Sequence, residues 1–187
     1  MRIISGTKKG KKLLLPDQEI TRPLKDNVKE NIFNVLAHSK KFKLNLYNTK
    51  VVDFFSGSGS FGIECISRGS KNVIFFEINS NVSNTLYRNL SNNFDKKKYE
   101  LVAKDFFKID VNYLAKSYEP DIIFFDPPYK IQNFDKILNT INLLAYLPNL
   151  TIILHVEKTK IINFENFRFI DERIYGLSKI FFLKTNP

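Results

Sequence analysis

The sequence contains a single cysteine, Cys65, so it cannot form an intramolecular disulfide or a cysteine-rich zinc site. Long apolar runs are also missing, since none approaches the roughly 18 residues that a membrane span requires. The first residues, Met1 to Ser5, lack the apolar core of a signal peptide. These absences predict a cytoplasmic protein with no transmembrane helix.

Internal repeats, low-complexity segments and long linkers are absent from the sequence as well. Hydrophobic residues make up 43% of the chain and charged residues 26%, which is typical of a globular protein and argues against a disordered one. The 187 residues match one domain of roughly 100–200 residues. We therefore expect one domain, in which a basic extension over residues 1–45 precedes a core over residues 46–187.

Acidic side chains are few, 19 against 29 basic ones, and the imbalance is concentrated near the N-terminus. Residues 1–50 hold 12 of the basic side chains and four of the acidic ones. A basic segment next to a nearly neutral remainder is typical of a protein that binds a polyanion through that segment. Charge alone leaves two interpretations open, a nucleic-acid contact or a solvated lysine-rich surface.

The N-terminal segment has the pattern of a hairpin followed by a helix. Apolar stretches at residues 2–4 and 13–15 flank a basic stretch between Gly6 and Gly10, which predicts a basic-tipped β-hairpin that ends at Pro16. Apolar residues then recur at helical spacing, which predicts a helix from about Leu24 to Ser39. This hairpin and helix form the predicted extension.

From Thr49 onward, short apolar runs alternate with stretches of helical periodicity. The predicted strands are Val51–Phe55, Asn72–Glu77, Glu100–Ala103, Asp121–Asp126 and Leu150–Glu157. The predicted helices are Ser60–Ser67, Asn81–Asn92, a weak Phe106–Leu114 and Asn133–Leu144. Two last runs, Phe167–Tyr175 and Lys179–Leu183, predict an antiparallel hairpin. The pattern predicts a Rossmann-like α/β fold, with a seven-stranded, mostly parallel sheet covered by helices on both faces.

A glycine-rich loop follows the first strand of the predicted core. Gly57, Gly59 and Gly62 match the spacing of dinucleotide-binding loops, and Glu77 lies 20 residues beyond Gly57, at the end of the next strand. A nicotinamide-dependent oxidoreductase is therefore one hypothesis.

Asp53 argues against a dinucleotide in this loop. Its carboxylate comes four residues before the first glycine, at the carboxyl end of the strand, where it would repel a pyrophosphate. The same carboxylate would pair with the ammonium of a cofactor that carries an amino acid group, such as S-adenosylmethionine. Glu77 would accept hydrogen bonds from both ribose hydroxyls. The loop therefore favours S-adenosylmethionine.

Asp105 and Phe106 follow the third predicted strand and have two interpretations. The Asp105 carboxylate would accept a hydrogen bond from an adenine amino group while Phe106 packs on the ring. Alternatively, Asp105 is the N-cap of the helix that follows. The sequence leaves both open.

The tetrad Asp126-Pro127-Pro128-Tyr129 follows four apolar residues, and its prolines stop a buried strand where open α/β sheets present functional residues. An exocyclic amine on a base is a poor nucleophile because its lone pair is delocalised into the ring. The Asp126 carboxylate and the Pro127 carbonyl would accept its N–H bonds and aid loss of a proton. Pro128 would hold the backbone rigid, and Tyr129 would stack on an extruded base. The tetrad therefore favours chemistry on a base amine.

Three other residues of types that often take part in catalysis or metal binding are not predicted to do so here. His38 and His155 lie far apart in unlike contexts, and we interpret them as a helix-end residue and a strand residue, not as a metal pair or an acid–base couple. Cys65 is expected in the core. No residues have metal-ligand spacing, so no metal is expected.

Taken in order, the residues of the loop Asp53–Gly62, Glu77, Asp105 and the tetrad resemble the successive motifs of class I S-adenosylmethionine-dependent amino-methyltransferases. Residues 2–6, 9–13, 21–23 and 31–34 are similar to those of the RsmD family. That family methylates the exocyclic N2 of a guanine in 16S ribosomal RNA. The resemblance covers nearly the whole chain.

The resemblance implies a class I methyltransferase fold with S-adenosylmethionine as cofactor. The implied cofactor-binding residues are Asp53, Ser56, Gly57, Gly59, Glu77, Asp105 and Phe106. The implied catalytic residues are Asp126, Pro127 and Tyr129. The residues expected to contact RNA are Arg2, Lys8, Lys9, Lys11, Lys12 and Arg22. The sequence departs from the family at Leu24, where Thr is expected, and at Asn27 and Lys29, where Arg is expected.

Other functions stay open beside guanine N2 methylation. The tetrad fits an adenine N6 amine in RNA or DNA equally well. A nicotinamide-dependent oxidoreductase and a noncatalytic RNA-binding assembly factor that retains the cofactor pocket are the further alternatives. We expect the substrate to be small-subunit ribosomal RNA within a ribosomal particle, and we expect a monomer because one small chain with one active site suffices.

Overall fold

The computed structural model describes residues 1–16 and 24–187, which contain one sheet flanked by helices. The helices are α1 (Asp26–His38), α2 (Ser60–Ser67), α3 (Ser80–Ser91), α4 (Val111–Tyr118) and α5 (Phe134–Leu144). The strands are β1 (Lys50–Phe54), β2 (Asn72–Phe76), β3 (Tyr99–Val102), β4 (Ile122–Phe125), β5 (Thr151–Glu157), β6 (Phe169–Tyr175) and β7 (Ser178–Lys184). Each described helix is too short or too polar to cross a lipid bilayer.

The central strands are buried on both faces, which explains their uninterrupted apolar runs. β1 pairs in parallel with β2 and β4, and β4 pairs in parallel with β5. Alternate residues of these strands enter two hydrophobic clusters, one on each face of the sheet, against which the helices pack. Cys65 of α2 is buried in one of these clusters, as predicted.

The sheet has the order β3-β2-β1-β4-β5-β7-β6, and β6 and β7 form the predicted antiparallel hairpin at one edge. Gly176 lies in the link between them at φ 61°, a conformation that favours glycine. β7 lies between β5 and β6 and runs antiparallel to both. The predicted fold class is therefore confirmed.

The helix predicted over Phe106–Leu114 is wrong. A single 3-10 turn covers Phe106–Lys108, and α4 begins after a break. Ile109 is extended, at φ −99° and ψ 130°. The Asp110 side chain then accepts a hydrogen bond from Tyr113 N at 2.9 Å and caps α4. The cap begins a new helix at a point where the apolar spacing predicted a continuous one.

The N-terminal hairpin forms, although its two arms share only one β-bridge in the described residues, between Arg2 and Lys12. Its tip rests on the end of α2, where Thr7 N donates to Ser67 O at 2.7 Å. Gly6 lies against the same carbonyl at φ 84°, and an added Cβ would lie 1.9 Å from Ser67 O. The tip is therefore packed on α2.

A buried ion pair joins this hairpin to α1 and α2. Glu64 of α2 accepts hydrogen bonds from Ile4 N and Ser5 N at 2.7 and 2.9 Å. Lys29 of α1 lies 3.9 Å from Glu64 and donates to Arg2 O at 2.7 Å. Both side chains are fully buried, and burial lowers the pKa of Lys29 while the Glu64 charge opposes that shift. Charge pairing thus holds the N-terminal segment against the sheet's covering helices.

The strand order reverses between β1 and β4, whose residues Asp53 and Phe124 lie in register. In open α/β sheets, ligands bind at the carboxyl ends of the strands beside such a reversal. The loops that follow β1, β2 and β4 therefore converge at one place.

Candidate active site

A cleft of about 760 Å³ opens at the carboxyl ends of the strands on both sides of the reversal. This volume lies within the range of roughly 300–1,000 Å³ that is usual for small-molecule sites. All but one of the predicted cofactor-binding and catalytic residues line it: Asp53, Ser56, Gly57, Glu77, Asp105, Phe106, Asp126, Pro127 and Tyr129. The structure thus brings together residues that are spread over 77 positions of the sequence.

The glycines of the loop between β1 and α2 serve different purposes. Gly57 lines the cleft at φ 55°, a conformation that favours glycine, and its backbone N–H donates to Glu77 Oε2 at 2.9 Å. Gly59 takes φ 79°, and an added Cβ would lie 2.3 Å from Leu86 Cδ1. A Cβ at Gly62 would lie 2.3 Å from the Phe75 ring. Gly59 and Gly62 therefore let the loop and α2 pack closely, and Gly59 lies beneath the loop outside the cleft lining.

Asp53 is a buried carboxylate in the wall of the cleft, with 1% of its surface exposed. Its Oδ2 accepts a hydrogen bond from Gly62 N at 3.0 Å. Burial raises the pKa of Asp53 well above its usual value, and the negative charges of Asp126 and Glu77 add to the shift, which the Gly62 N–H opposes. A carboxylate in this position is stabilised by a cation that enters the cleft.

Glu77 follows β2 directly, and backbone groups hold both of its oxygens. Oε2 accepts from Gly57 N at 2.9 Å, and Oε1 accepts from Asn79 N at 2.8 Å. Each carboxylate oxygen retains a second lone pair for a ligand hydroxyl. The side chain is therefore held in a defined orientation at the rim of the cleft.

Ser56 and Phe55 shape the loop from within. The Ser56 hydroxyl donates to Asp53 O at 2.6 Å and accepts from Phe76 N at 3.0 Å, so it ties β1 to β2. Phe55 takes φ 59°, which is uncommon for a bulky residue and marks local backbone strain. Both residues line the cleft, so the strain lies at the candidate site.

The N-cap interpretation of Asp105 is confirmed, although the cap begins a 3-10 turn, and the adenine interpretation of Asp105 and Phe106 stays a prediction. Asp105 Oδ1 accepts from Phe107 N at 3.0 Å and caps the 3-10 turn, while the residue also lines the cleft. The Phe106 ring is buried against Phe54, with ring centroids 5.2 Å apart and planes at 82°. The pair therefore forms an aromatic and polar wall on the β3 side of the cleft.

The tetrad begins where β4 ends, beside the end of β1. Asp126 N donates to Phe54 O at 3.3 Å, and the Asp126 side chain is 22% exposed at the cleft. Pro127 is buried, and Pro128 is exposed and accepts from Ile131 N at 2.9 Å to close a turn. The tetrad thus presents a carboxylate in a rigid backbone next to Asp53.

His155 is a site residue that the sequence did not reveal. It lies on β5, whose residue Leu154 pairs with Phe125, so His155 comes beside Asp126. Its Nδ1 is 2.7 Å from Asp126 Oδ1, and its Nε2 is 3.4 Å from the Tyr129 hydroxyl. The prediction of a strand residue is right, but the ring belongs to the cleft. The available signal was a polar residue near the carboxyl end of an otherwise apolar strand.

His38 ends α1 as predicted and is exposed. Within residues 1–16 and 24–187, no group of three or more His, Cys, Asp or Glu side chains is arranged to hold a metal ion.

Five of the six basic residues predicted to bind RNA are described, and these lie on the hairpin, outside the cleft lining. Arg2, Lys9, Lys11 and Lys12 are exposed, and Lys8 is half-buried. The hairpin runs along α2. At one end the Met1 sulfur is 3.8 Å from Ser58 Oγ, and at the other end the hairpin tip contacts Ser67, the last residue of α2. An eight-residue helix is about 12 Å long, so the basic tip lies about that far from the glycine loop. Arg22 lies outside the described residues.

Two of the positions that depart from the family pattern are interior positions. Leu24 lines the cleft and is 4% exposed, and Lys29 is fully buried. Neither side chain is placed to reach a phosphate, whereas Asn27 is exposed. The departure at Lys29 therefore concerns the packing of α1, and the departure at Leu24 concerns the lining of the cleft.

The strand order, the reversal point and the cleft are those of a class I methyltransferase fold. The Escherichia coli protein yhhF, provisionally called a methyltransferase, superposes with a TM-score of 0.75 at 25% identity, over 100% of this chain and 98% of that one. An RNA methyltransferase from Salinibacter ruber in complex with S-adenosyl-L-homocysteine shares the fold alone, with a TM-score of 0.60 at 14% identity over 88% and 94% of the two chains.

The chain belongs to the family described as Conserved hypothetical protein 95, the RsmD family, whose model matches residues 1–184. The ribosomal RNA small subunit methyltransferase D of Haemophilus influenzae is 32% identical over 95% of this chain and 90% of its own. The Escherichia coli protein of the same name is 33% identical over 77% of this chain and 66% of its own. The predicted family is therefore confirmed.

Proposed function

We propose that the protein transfers a methyl group from S-adenosylmethionine to the exocyclic N2 amine of a guanine in 16S ribosomal RNA. One observation carries the proposal: a single cleft holds the buried Asp53 carboxylate with Glu77 on one side and the Asp126 tetrad on the other. The names of the curated relatives support methylation of small-subunit ribosomal RNA. The choice of guanine N2 rests on the family resemblance.

The residues of the cleft fit S-adenosylmethionine. Asp53 would pair with its ammonium, because a carboxylate buried beside two others favours a cation. Glu77 would accept from the ribose hydroxyls with its remaining lone pairs, and Gly57 would allow close approach of the backbone. Asp105 and Phe106 would hold the adenine. When bound, the cofactor supplies a methyl group on a sulfonium, which is already activated toward an amine.

The protein's part in the reaction is to orient the base amine and take its proton. The Asp126 carboxylate and the Pro127 carbonyl would accept the two N–H bonds, which directs the nitrogen lone pair away from the ring. Asp126 then takes up the proton that the nitrogen loses as its new bond to carbon forms. Tyr129 stacks on the extruded base. Positioning contributes most, since the methyl group arrives activated.

The hairpin and α1 would serve as the RNA-docking part of the chain, residues 1–45, and residues 46–187 as the catalytic core. Arg2, Lys9, Lys11 and Lys12 present their charges on the exposed side of the hairpin. The proposed substrate is a ribosomal particle, which places the enzyme in the cytoplasm. We propose that it acts as a monomer, because one chain forms every wall of the described cleft.

The proposal is tested by incubating the purified protein with isotope-labelled S-adenosylmethionine and small ribosomal subunits from cells that lack this modification. The RNA is digested and the labelled nucleosides are identified by mass spectrometry. We expect label in N2-methylguanosine. A known methyltransferase acting on the same particles serves as the positive control.

The other results separate the alternatives. Label in N6-methyladenosine would move the target to an adenine amine. Binding of NAD(H) without binding of S-adenosylmethionine would favour the oxidoreductase. Binding of RNA and cofactor with no label would favour a noncatalytic assembly factor.

Neutralising the hairpin lysines is expected to weaken RNA binding and flatten its salt dependence. Each phosphate contact that is lost reduces the slope of log K against log salt by about 0.7–0.9. We therefore expect a variant with four Lys→Gln substitutions to lower the slope by up to about 3.6, measured by filter binding or anisotropy at several salt concentrations. The four positions are Lys8, Lys9, Lys11 and Lys12.

A matched control replaces the three exposed lysines of the turn Lys96–Lys98, between α3 and β3, by Gln. This variant lowers the net charge but leaves the hairpin intact, so its slope is expected to stay close to that of the wild type. An equal change in both variants would mean that the hairpin contributes only general charge.

A further inference from the structure

His155 connects the two functional side chains of the tetrad. The residue lies in β5, and its side chain is 8% exposed. Nδ1 is 2.7 Å from Asp126 Oδ1, and Nε2 is 3.4 Å from the Tyr129 hydroxyl, with ring planes at 80°. The same hydroxyl lies 3.4 Å from Ser178 Oγ on β7. One imidazole thus contacts both the carboxylate and the aromatic ring assigned to the base.

The chemistry of these partners defines the tautomer of the ring. An ionised carboxylate only accepts hydrogen bonds, so Nδ1 carries the hydrogen that it donates to Asp126 Oδ1. In the neutral ring Nε2 is then an acceptor, and the Tyr129 hydroxyl donates to it across a long contact. In this tautomer the hydrogen bonds run in one direction, from Tyr129 through His155 to Asp126.

We propose that His155 is a positioning residue for the reaction assigned to Asp126, and this inference rests on the proposed methyl transfer. The terminal torsion of an aspartate is broad, so the tetrad backbone alone does not define where its oxygens lie. Because Asp126 Oδ1 is hydrogen-bonded to His155, Asp126 Oδ2 accepts the N–H of the base and then its departing proton. The second contact holds the Tyr129 ring at the angle at which it meets the base.

Three substitutions of His155 distinguish a positioning role from a packing role. The side-chain amides of Asn and Gln can each replace one of the two ring nitrogens. In His155→Asn the amide nitrogen takes the place of Nδ1, in His155→Gln it takes the place of Nε2, and His155→Leu has neither. We expect His155→Leu and His155→Gln to lose about 10- to 100-fold in kcat, as a displaced reacting group does. His155→Asn should recover to within a few-fold of wild type, and Kd for S-adenosylmethionine should stay unchanged in all three.

The measurements are single-turnover and steady-state methylation of small ribosomal subunits, calorimetric titration with S-adenosylmethionine, and thermal unfolding. Tyr113→Asn, which changes an exposed ring on α4 outside the cleft lining, is the control and should equal the wild type. Wild-type kcat in folded His155→Leu would overturn the proposal. So would equal losses in the Leu and Asn variants, or a loss in cofactor affinity that accounts for the loss in rate.

A second readout does not depend on activity. The chain has two histidines, so nitrogen-15 imidazole spectra contain two ring systems, and His38→Asn assigns them. We expect His155 to be a single tautomer with hydrogen on Nδ1, and we expect its signals to move in Asp126→Ala. Hydrogen on Nε2, or fast exchange like that of an exposed ring, would overturn the inference. Failure of methyl transfer in the wild type would instead count against the proposed function.

Discussion

Asp126→Ala is expected to reduce methyl transfer by about 10²–10⁴-fold, the range that a positioned acid–base group contributes. The carboxylate lies at the end of β4 in the cleft, where it would orient the base amine and accept its proton. Affinity for S-adenosylmethionine should change little, because Asp53 lies on β1, and Glu77 and Asp105 lie in the loops after β2 and β3. The change is measured as kcat on small ribosomal subunits, together with a calorimetric Kd for the cofactor.

Two further variants make this result specific. Asp126→Asn keeps the shape and one acceptor oxygen, so it should retain more activity than Asp126→Ala. Asp135→Ala removes an exposed carboxylate from the first turn of α5 and should match the wild type. If Asp126→Ala lost cofactor binding and transfer together, the tetrad would be a structural element of the cleft instead of its catalytic part.

The parts of the site that could be predicted share one geometric cause. Parallel strands end at the same edge of a sheet, so a polar residue at the end of each buried run lies near the others. Asp53, Glu77 and Asp126 all end or follow such runs, and all three line the cleft. Their spacing along the chain therefore contained enough information to place them together.

His155 shows where this reasoning stops. Its contact with Asp126 depends on β5 being the neighbour of β4 in a particular register, with Leu154 opposite Phe125. The sequence shows that a strand exists, but a shift of one residue would move His155 to the other face of the sheet. Register is decided by packing along the whole sheet, so the contact is visible only in three dimensions.

Lys29 shows the same limit for charge. A lysine on a predicted helix normally faces solvent, and nothing near it in the sequence marks it as buried. Its partner Glu64 lies 35 residues away on α2, and that residue also accepts the N–H groups of the hairpin. A buried charge is tolerated only with such a partner, so its burial follows from how distant segments meet.

Asp53→Asn is expected to have two effects of opposite sign. Burial and the neighbouring carboxylates raise the pKa of Asp53, so the folded protein holds a proton there that the unfolded chain releases near the ordinary value of 3.8. This contribution to stability is complete at low pH and is lost as the pH rises through the raised pKa of the folded state. An amide keeps an acceptor for Gly62 N but carries no charge, so it removes the cost of ionisation.

Without cofactor, Asp53→Asn should therefore raise the Tm at neutral pH by a few degrees, about 2–4 °C for each kcal/mol gained in a chain of this size. The same change removes the charge proposed to hold the cofactor ammonium. Losing one partner of a buried charge pair costs about 2–5 kcal/mol, so Kd for S-adenosylmethionine should rise at least about 30-fold. Thermal unfolding and calorimetric titration measure the two effects.

The pH dependence of binding separates this account from a simple loss of contact. A cation prefers the ionised carboxylate, so cofactor binding releases the Asp53 proton, and wild-type affinity should increase as the pH rises toward the raised pKa of Asp53. Asp53→Asn should abolish that increase, along with the proton release seen when the titration is repeated in buffers of different ionisation enthalpy. A variant that only disturbs packing would lose stability and affinity together. Higher stability with weaker, pH-independent binding is a combination that only the removal of a buried, ligand-facing charge explains.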